Sequence, residues 1–231
     1  MTDNKPPRIL VIAPHADDET LGMGGTIAKK RAAGAEVEVA VLTGHGEGRH
    51  PLFAQDGFDR VRAEAAEAME RLGGATLAFR DLAAVTLDHM PVYTINRVVA
   101  EVIADASPDE IYFPFYHDLH RDHQALSYAV LVAVRGYLDQ AKSVRRLAMY
   151  EIPTETHLMP GSVAPGFLPN MFVDIGDHVE AKLAAWSCYK SQQQNGITPR
   201  HPDNLRALAR LRGSEIGVAH AEAFIIVRER A

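Results

Sequence analysis

The stretch RILVIAPHADDET, residues 8–20, contains the strongest structural signal in the sequence. Arg8–Ala13 is short, rich in β-branched residues and followed at once by a proline, which is typical of a fully buried strand. A polar turn then leads into Thr20–Ala33, where apolar residues recur at three- and four-residue spacing. A buried strand, a polar turn and an amphipathic helix together predict the first unit of an α/β fold.

The same alternation of strands and helices continues along the chain. Further strands are predicted at Glu36–Thr43, Ala75–Arg80, Glu110–Phe115, Leu147–Ile152 and Phe224–Arg228. Helical spacing occurs at Asp59–Leu72, Tyr93–Ala106, Gln124–Leu138, Asp177–Tyr189 and Asn204–Ile216. This alternation favours a mostly parallel sheet with helices on both faces. Because no linker or repeat divides residues 1–231, a single α/β domain is expected.

Composition argues against several classes of protein. The chain carries 24 basic and 30 acidic residues, and no basic stripe indicates a nucleic-acid partner. No run of 18 apolar residues predicts a membrane span. Cys188 is the only cysteine, and the first residues lack the pattern of a signal peptide, so a cytoplasmic location is expected. Homo-oligomerisation is left open.

The turn after the first strand contains His15, Asp17 and Asp18. A dinucleotide-binding fold would place glycines here, but the glycines of residues 22–25 come too late for that fingerprint. An aspartyl phosphatase would need Asp-x-Asp, and position 16 is alanine. Asp17 or Asp18 could simply cap the following helix. That role does not account for a histidine ahead of two carboxylates, a combination that favours a metal site.

A second polar cluster follows the predicted strand Glu110–Phe115. Three histidines fall within residues 117–123, and the carboxyl ends of parallel strands share one edge of a sheet. His15, Asp18 and His123 would supply two imidazoles and one carboxylate, a donor set typical of catalytic zinc. Asp122 could hold a ligand imidazole in its proper tautomer. A carboxylate beside the metal could act as general base, and a further histidine as acid or oxyanion partner. The histidines other than His15, His120 and His123 are interpreted as ordinary polar residues, although His45 and His117 lie on loops at this same edge.

Both clusters resemble motifs of a known family. His15-Ala16-Asp17-Asp18-Glu19 resembles the His-Pro-Asp-Asp-Glu motif of the PIG-L or LmbE-like zinc de-N-acetylases. His120-Arg121-Asp122-His123 resembles their His-x-Asp-His motif, with arginine in place of the usual proline. Similarity continues through residues 42–48, 64–73, 182–192 and 221–224, so it extends over nearly the whole chain.

The resemblance implies a Rossmann-like fold and one catalytic Zn²⁺, with other divalent metals as alternatives. It implies His15, Asp18 and His123 as metal ligands and Asp17 as general base. It also implies that His120 stabilises the oxyanion or protonates the leaving amine, and that Tyr189 reaches the oxyanion. The expected reaction is removal of an acetyl group from an N-acetylated amino sugar or sugar conjugate of the N-acetylglucosamine type, giving acetate and a free amine. A free or small aglycone is expected, rather than a long polysaccharide.

The sequence leaves the substrate and two other functions open. A zinc amidase acting on a non-sugar amide, such as a thiol conjugate, would use the same metal motif. A metal-containing sugar-binding module without catalysis is the third interpretation, although Asp17 is retained. The loops His45–Gly57, Pro153–Asn170 and Gln193–Asp203 are expected to line the crevice. Arg49, Arg60 and Arg62 are candidates for a substrate contact, with no basis for choosing among them.

Overall fold

A seven-stranded sheet forms the centre of the fold. The computed structural model describes residues 5–48 and 50–230. The strands are β1 (Arg8–Ala13), β2 (Glu36–Gly44), β3 (Thr76–Ala83), β4 (Glu110–Pro114), β5 (Arg146–Tyr150), β6 (Met171–Asp174) and β7 (Ala221–Glu229). Their order across the sheet is β3-β2-β1-β4-β5-β7-β6. The first five are parallel, whereas β7 is antiparallel to both of its neighbours.

Helices cover both faces of this sheet. They are α1 (Asp18–Ala32), α2 (Gln55–Arg71), α3 (Val92–Ala106), α4 (Arg121–Ala133), α5 (Val179–Trp186) and α6 (Pro202–Ser214). Successive residues of β1 point to opposite faces. Ile9 and Val11 join a core with α1, α2 and α5, while Leu10 and Ile12 pack with α3 and α4. The predicted fold, a single α/β domain with a mostly parallel sheet, is therefore confirmed.

Most predicted elements agree with the structure to within a few residues, and two differ in an informative way. β6 was not predicted, because it has only four residues and pairs on one side at the sheet edge. The helix predicted at Asp177–Tyr189 ends at Trp186, and the backbone of Tyr189 has already left the helical region at φ −78° and ψ 60°. Among the described helices, none combines the length and hydrophobicity that crossing a membrane requires.

Helix α1 is kinked and almost entirely buried. Met23 has a non-helical backbone inside it, at φ −147° and ψ 26°. The carboxylate of Glu222 on β7 accepts hydrogen bonds from the backbone N–H groups of Gly25 and Thr26, at 3.0 and 2.7 Å. Lys182 on α5 donates to that carboxylate and to the carbonyl oxygen of Leu21, at 2.6 and 2.8 Å. A buried ion pair thus satisfies the backbone groups around the kink.

The strand order creates a crevice beside β1. β1 lies between β2 and β4, so the chain leaves the carboxyl ends of β1 and β4 toward opposite sides of the sheet. Ligands of open α/β sheets bind at such a switch point. The turn that contains His15 follows β1, and the turn that contains His120 follows β4. The topology therefore brings both polar clusters to one place.

Candidate metal centre and active site

The turn between β1 and α1 has an unusual backbone at Asp17. This residue has φ 145° and ψ −24°, a region that non-glycine residues rarely occupy. Such strain costs on the order of 1–3 kcal/mol and persists where surrounding structure imposes it. Asp17 lines the cavity described below, while the Asp18 carboxylate accepts a hydrogen bond from the backbone N–H of His15 at 2.9 Å. The turn therefore gives its two adjacent carboxylates different surroundings.

Three donor atoms form a compact triangle at this turn. Oδ2 of Asp18 lies 3.2 Å from Nδ1 of His15 and 3.2 Å from Nε2 of His123. The two imidazole nitrogens are 3.4 Å apart. Zinc bonds of about 2.0–2.1 Å in a tetrahedral site separate neighbouring ligand atoms by roughly 3.3 Å. The set predicted from the sequence thus has both the chemistry and the spacing that a tetrahedral zinc ion needs.

Carboxylates behind the triangle set the tautomer of each imidazole. Nε2 of His15 donates to Asp122 at 3.1 Å, and Nδ1 of His123 donates to Asp118 at 2.9 Å. In the neutral imidazoles, the nitrogens that face the triangle are then left as lone-pair donors. Asp122 thus occupies the position expected of a residue that orients a ligand imidazole. Asp118, which has the matching role at His123, was missed because nothing local distinguishes it from other acidic residues.

A second group of donors shares His15 with the first. His15, His120 and Asp122 also bring ligand atoms within 4.8 Å of one another. However, Asp122 already accepts hydrogen bonds from the backbone N–H groups of Val85 and Leu87, at 2.6 and 3.1 Å. Nδ1 of His120 in turn accepts the backbone N–H of Asp122 at 3.1 Å. These bonds favour Asp122 and His120 as supporting residues, and the first group as the ligand set.

The electrostatics of the triangle favour a cation. Burial lowers the pKa of His15, but hydrogen bonds to Asp122 and Asp18 outweigh it and raise that pKa to about 9. Burial likewise opposes the charged form of His123, yet the charge of Asp18 and the hydrogen bond to Asp118 raise its pKa to about 10. Without a metal, the site stabilises protons on both imidazoles. The same carboxylates would stabilise a divalent cation between them.

Arg200 pairs with Asp17 and was not predicted. Its Nη1 donates to Oδ2 of Asp17 at 2.9 Å, and its Nε donates to Thr154 at 3.2 Å. Burial raises the pKa of Asp17 to about 7, and the charge of Arg200 opposes that rise. Arg200 belongs to the loop Gln193–Asp203, which was expected to line the crevice, but its residue type alone gave no reason to single it out.

His120 caps the N-terminus of α4, and one of its ring nitrogens already accepts a hydrogen bond from the backbone. Because Nδ1 accepts the backbone N–H of Asp122, neutral His120 carries its hydrogen on Nε2. Burial, together with the neighbouring His15 and His123 imidazoles, lowers the pKa of His120 to about 4. Its ring lines the cavity. Neutral His120 can therefore present an N–H donor beside the metal triangle.

Tyr189 does not have the surroundings that the resemblance implied. Its side chain is fully buried, and its hydroxyl donates to Glu19 rather than lining the cavity. A direct contact with an oxyanion is not supported by this placement. Of the arginines considered from the sequence, Arg60 and Arg62 line the cavity but pair with Asp56 and Asp81 at 3.7 and 3.0 Å, and Arg49 lies outside the described residues.

A cavity of about 400 Å³ opens from the metal triangle. His15, Asp17, His120, His123 and Arg200 are among the polar side chains that line it. The three loops expected at the crevice contribute unequally: His45–Gly57 supplies Phe53 and Gly57, Pro153–Asn170 supplies Glu155, and Gln193–Asp203 supplies Arg200. His45 and His117 belong to neither donor group of the described chain.

A Rossmann-like sheet with a histidine–aspartate cluster at its switch point defines the class of protein. The PIG-L family model, described as GlcNAc-PI de-N-acetylase, matches residues 10–134, which is more than half of the chain and includes both motifs. The chain belongs to this PIG-L, or LmbE-like, family of de-N-acetylases.

Relatives within the family act on sugar-related compounds. Diacetylchitobiose deacetylase from Thermococcus kodakarensis is 26% identical over 97% of this chain and 84% of its own length. The probable N-acetyl-alpha-D-glucosaminyl L-malate deacetylase 2 of Bacillus cereus is 26% identical over 84% of this chain and 87% of its own. Among solved structures, the conserved protein TT1542 from Thermus thermophilus superposes with a TM-score of 0.76 at 27% identity, covering 97% of this chain and 96% of its own. The fold is thus shared over nearly the full chain.

Proposed function

We propose that this protein hydrolyses the N-acetyl group of an N-acetylated amino sugar or sugar conjugate in a zinc-dependent reaction. The observation that supports this proposal most directly is the triangle formed by His15, Asp18 and His123, with Asp17 and His120 lining the same cavity. A carboxylate outside the ligand set can act as general base, and an imidazole beside it can stabilise the oxyanion or relay a proton to the amine, the two roles that amide hydrolysis requires.

His15 would bind the zinc ion through Nδ1, His123 through Nε2 and Asp18 through its carboxylate. When bound, Zn²⁺ supplies Lewis acidity, which polarises an amide carbonyl and makes water a stronger acid. Asp118 and Asp122 keep the two imidazoles in the tautomers that this binding needs.

Asp17 and His120 divide the proton transfers between them. Asp17 takes a proton from the attacking water as that oxygen bonds to the acetyl carbon. His120 stabilises the developing oxyanion by donating a hydrogen bond from Nε2. The proton held by Asp17 is passed to the amide nitrogen as the C–N bond breaks, either directly or through an imidazolium form of His120. The products are acetate and a free amine. Arg200 holds the Asp17 carboxylate at 2.9 Å, which fixes the orientation of the base.

The sugar part of the proposal is supported by the substrates named for the relatives. Diacetylchitobiose and an N-acetylglucosaminyl malate both carry the N-acetylglucosamine unit. A zinc amidase for non-sugar amides and a non-catalytic sugar-binding module are the alternatives. Loss of the base would have favoured the binding module, but Asp17 is present and paired.

The proposal is tested by measuring acetate release from the zinc-loaded protein. The panel contains N-acetylglucosamine, its glycosides, simple N-acetyl amines and N-acyl amino acids. We expect release from at least one sugar, and loss of both bound zinc and turnover in His15→Ala. Faster turnover of the non-sugar amides than of every sugar would contradict the sugar assignment. Full zinc occupancy in His15→Ala, Asp18→Ala and His123→Ala would contradict the proposed metal centre.

A further inference from the structure

The side chains that line the cavity fall into two groups of different chemistry. His15, His123, Asp17, His120 and Arg200 form a polar group. Five apolar side chains from β2, β3, α2 and the loop before α2 form a second group, named here the apolar wall: Val41, Phe53, Phe58, Val61 and Phe79. Three aromatic rings offer a larger apolar surface than the methyl group of an acetyl substituent could cover. The proposed reaction does not account for this wall.

The wall is held in place by the sheet and by α2. Val41 on β2 and Phe79 on β3 are directly paired in register, so their side chains lie on the same face. Phe58 and Val61 come from the first half of α2 and cover that face. The Phe53 and Phe58 rings meet edge to face at a centroid distance of 6.0 Å. The wall is therefore assembled from several elements.

His50 fixes the loop that carries Phe53. Its imidazole is buried, and Nδ1 accepts the backbone N–H groups of Leu52 and Phe53, each at 3.1 Å. Nε2 donates to the carbonyl oxygen of Ala84 at 2.9 Å. The His50 ring also stacks on Phe53, with centroids 5.2 Å apart and planes inclined by 26°. Phe53 is nevertheless 49% exposed, so an apolar surface is held ready at the cavity.

Two of the polar side chains that line the cavity beside the wall already have partners. Arg62 lies over the Phe79 ring at 5.2 Å and pairs with Asp81 at 3.0 Å. Ser191 bonds to Glu64 through both its backbone N–H and its hydroxyl, at 2.9 and 2.5 Å. The apolar side chains of the wall offer no partners to the hydroxyl groups that a second sugar ring would turn toward them, and burying an unpaired hydroxyl is costly. An apolar group would instead gain free energy from the area it buries.

We infer that the apolar wall binds an aromatic or alkyl aglycone of the substrate, so that the preferred substrate is an N-acetylated amino sugar carrying an apolar group. This inference rests on the proposed function, because it assumes that the amide lies at the metal triangle. A preference for an apolar aglycone differs from a preference for a substituent that is purely saccharide or that carries a carboxylate.

Binding of glycosides that cannot be deacetylated tests the wall separately from the reaction. Calorimetry with the zinc-loaded protein compares phenyl β-D-glucopyranoside with methyl β-D-glucopyranoside. Burial of a phenyl ring predicts at least about tenfold tighter binding of the phenyl glycoside. Phe58→Ala should abolish most of that preference. Phe172→Ala is the matched control, because Phe172 is a half-buried phenylalanine on the edge strand β6 and does not line the cavity.

Equal affinity for the two glycosides, or an equal effect of Phe58→Ala and Phe172→Ala, would overturn the inference. A kinetic comparison separates the aglycone from the acyl chain. If N-octanoylglucosamine were hydrolysed faster than N-acetylglucosamine while phenyl and methyl N-acetylglucosaminides reacted equally, the wall would hold the acyl group and the inference would fail. If no compound released acetate but the phenyl preference persisted and depended on Phe58, the wall would stand and the proposed function would fail.

Discussion

Asp17 is the residue on which the proposed chemistry depends most. It adjoins the proposed ligand Asp18, yet its carboxylate pairs with Arg200 and lines the cavity instead of joining the triangle. We expect Asp17→Asn to keep its zinc and to lower kcat by about 10²–10⁴-fold, because asparagine preserves the shape but cannot accept the proton. Zinc content and kcat are measured on the same preparation. A variant with near wild-type kcat would rule Asp17 out as the base.

Arg200 is expected to act through Asp17 rather than on the substrate. Hydrogen bonds to charged groups contribute about 1.5–3 kcal/mol, so Arg200→Ala should lower kcat by about 10–100-fold at unchanged zinc content. Arg200→Lys should recover part of that loss, since it keeps the charge but not the planar guanidinium. Arg210→Ala, at an exposed arginine of α6, serves as the control. An increase in KM with unchanged kcat would instead assign Arg200 to substrate binding.

Val85 shows how a strained residue can serve the site indirectly. Its φ of 63° is unusual for a β-branched residue. In this conformation its backbone N–H donates to Asp122 at 2.6 Å, and Asp122 in turn accepts from His15. The turn after β3 thereby helps, through Asp122, to orient His15, a proposed metal ligand. The strain is retained at a position where it contributes to the geometry of the site.

At the scale of elements, the kink of α1 depends on the buried pair of Lys182 and Glu222. Removing one partner of a buried ion pair typically costs about 3–5 kcal/mol, because the other charge is left unpaired. We therefore expect Glu222→Ala to lower the free energy of unfolding by about that amount in denaturant titration. Glu229→Ala, which removes an exposed partner of Arg146, should cost less than about 1 kcal/mol. Equal losses in the two variants would contradict a structural role for the buried pair.

The packing around α1 also explains why positions 22 and 25 are glycines, a feature to which the sequence pattern assigned no role. A Cβ at Gly22 would lie 2.3 Å from the Tyr150 ring, and one at Gly25 would lie 2.7 Å from Ile175. These glycines therefore permit the close packing of α1 rather than the approach of a phosphate. Lys182 and Glu222, from the later family segments, likewise hold α1 in place and do not line the cavity.

Helix α6 is joined to the end of β5 by a pH-sensitive contact. Glu151 is buried and receives two hydrogen bonds from Arg212, at 2.8 and 2.7 Å, and lies 2.9 Å from His157. Burial opposes its charge, but His157 and Arg212 outweigh that effect and hold the pKa of Glu151 below its usual value of 4.5. Arg212 also pairs with Glu215 at 2.8 Å.

A carboxylate with a lowered pKa stabilises the folded state above its unfolded pKa, and this stabilisation is lost as the pH falls through the folded value. Wild type should therefore exceed Glu151→Gln in unfolding free energy at neutral pH. The difference should shrink only as the pH drops below about 4.5. Urea titrations of both proteins between pH 7 and pH 3 measure it. A difference that stayed constant over this range would contradict the assignment.

At the scale of the whole molecule, the proposed metal centre would link two separate parts of the chain. His15 and Asp18 follow β1, whereas His123 lies in α4, so a shared ion binds only the folded protein. Free zinc at about 100 times its Kd should stabilise the fold by about 2.7 kcal/mol. For a chain of this size we expect a rise in Tm of about 5–10 °C. Thermal scans with zinc and with a chelator measure it, and His123→Ala should remove the difference. An unchanged Tm in wild type would argue against a site that bridges the two motifs.

The switch-point topology explains why the sequence alone could predict that the two motifs lie close together. Strand alternation predicted a parallel sheet, and parallel strands place their carboxyl ends at one edge. His15, Asp18 and His123 were therefore expected to meet, and their donor atoms lie 3.2–3.4 Å apart. This part of the site follows from the local residue pattern and the general geometry of sheets.

Other features arise only from tertiary contacts. Arg200 and Asp17 are 183 positions apart, and no local periodicity indicates that one faces the other. Asp118 resembles any acidic loop residue until its contact with His123 is known, and Tyr189 is fully buried against Glu19 instead of facing the cavity. The sequence by itself determined the α/β layout and the donor set, because hydrophobic spacing and ligand type are local properties. Only the tertiary structure decided the partners of Asp17 and Tyr189 and the apolar wall, because these depend on how distant segments pack together.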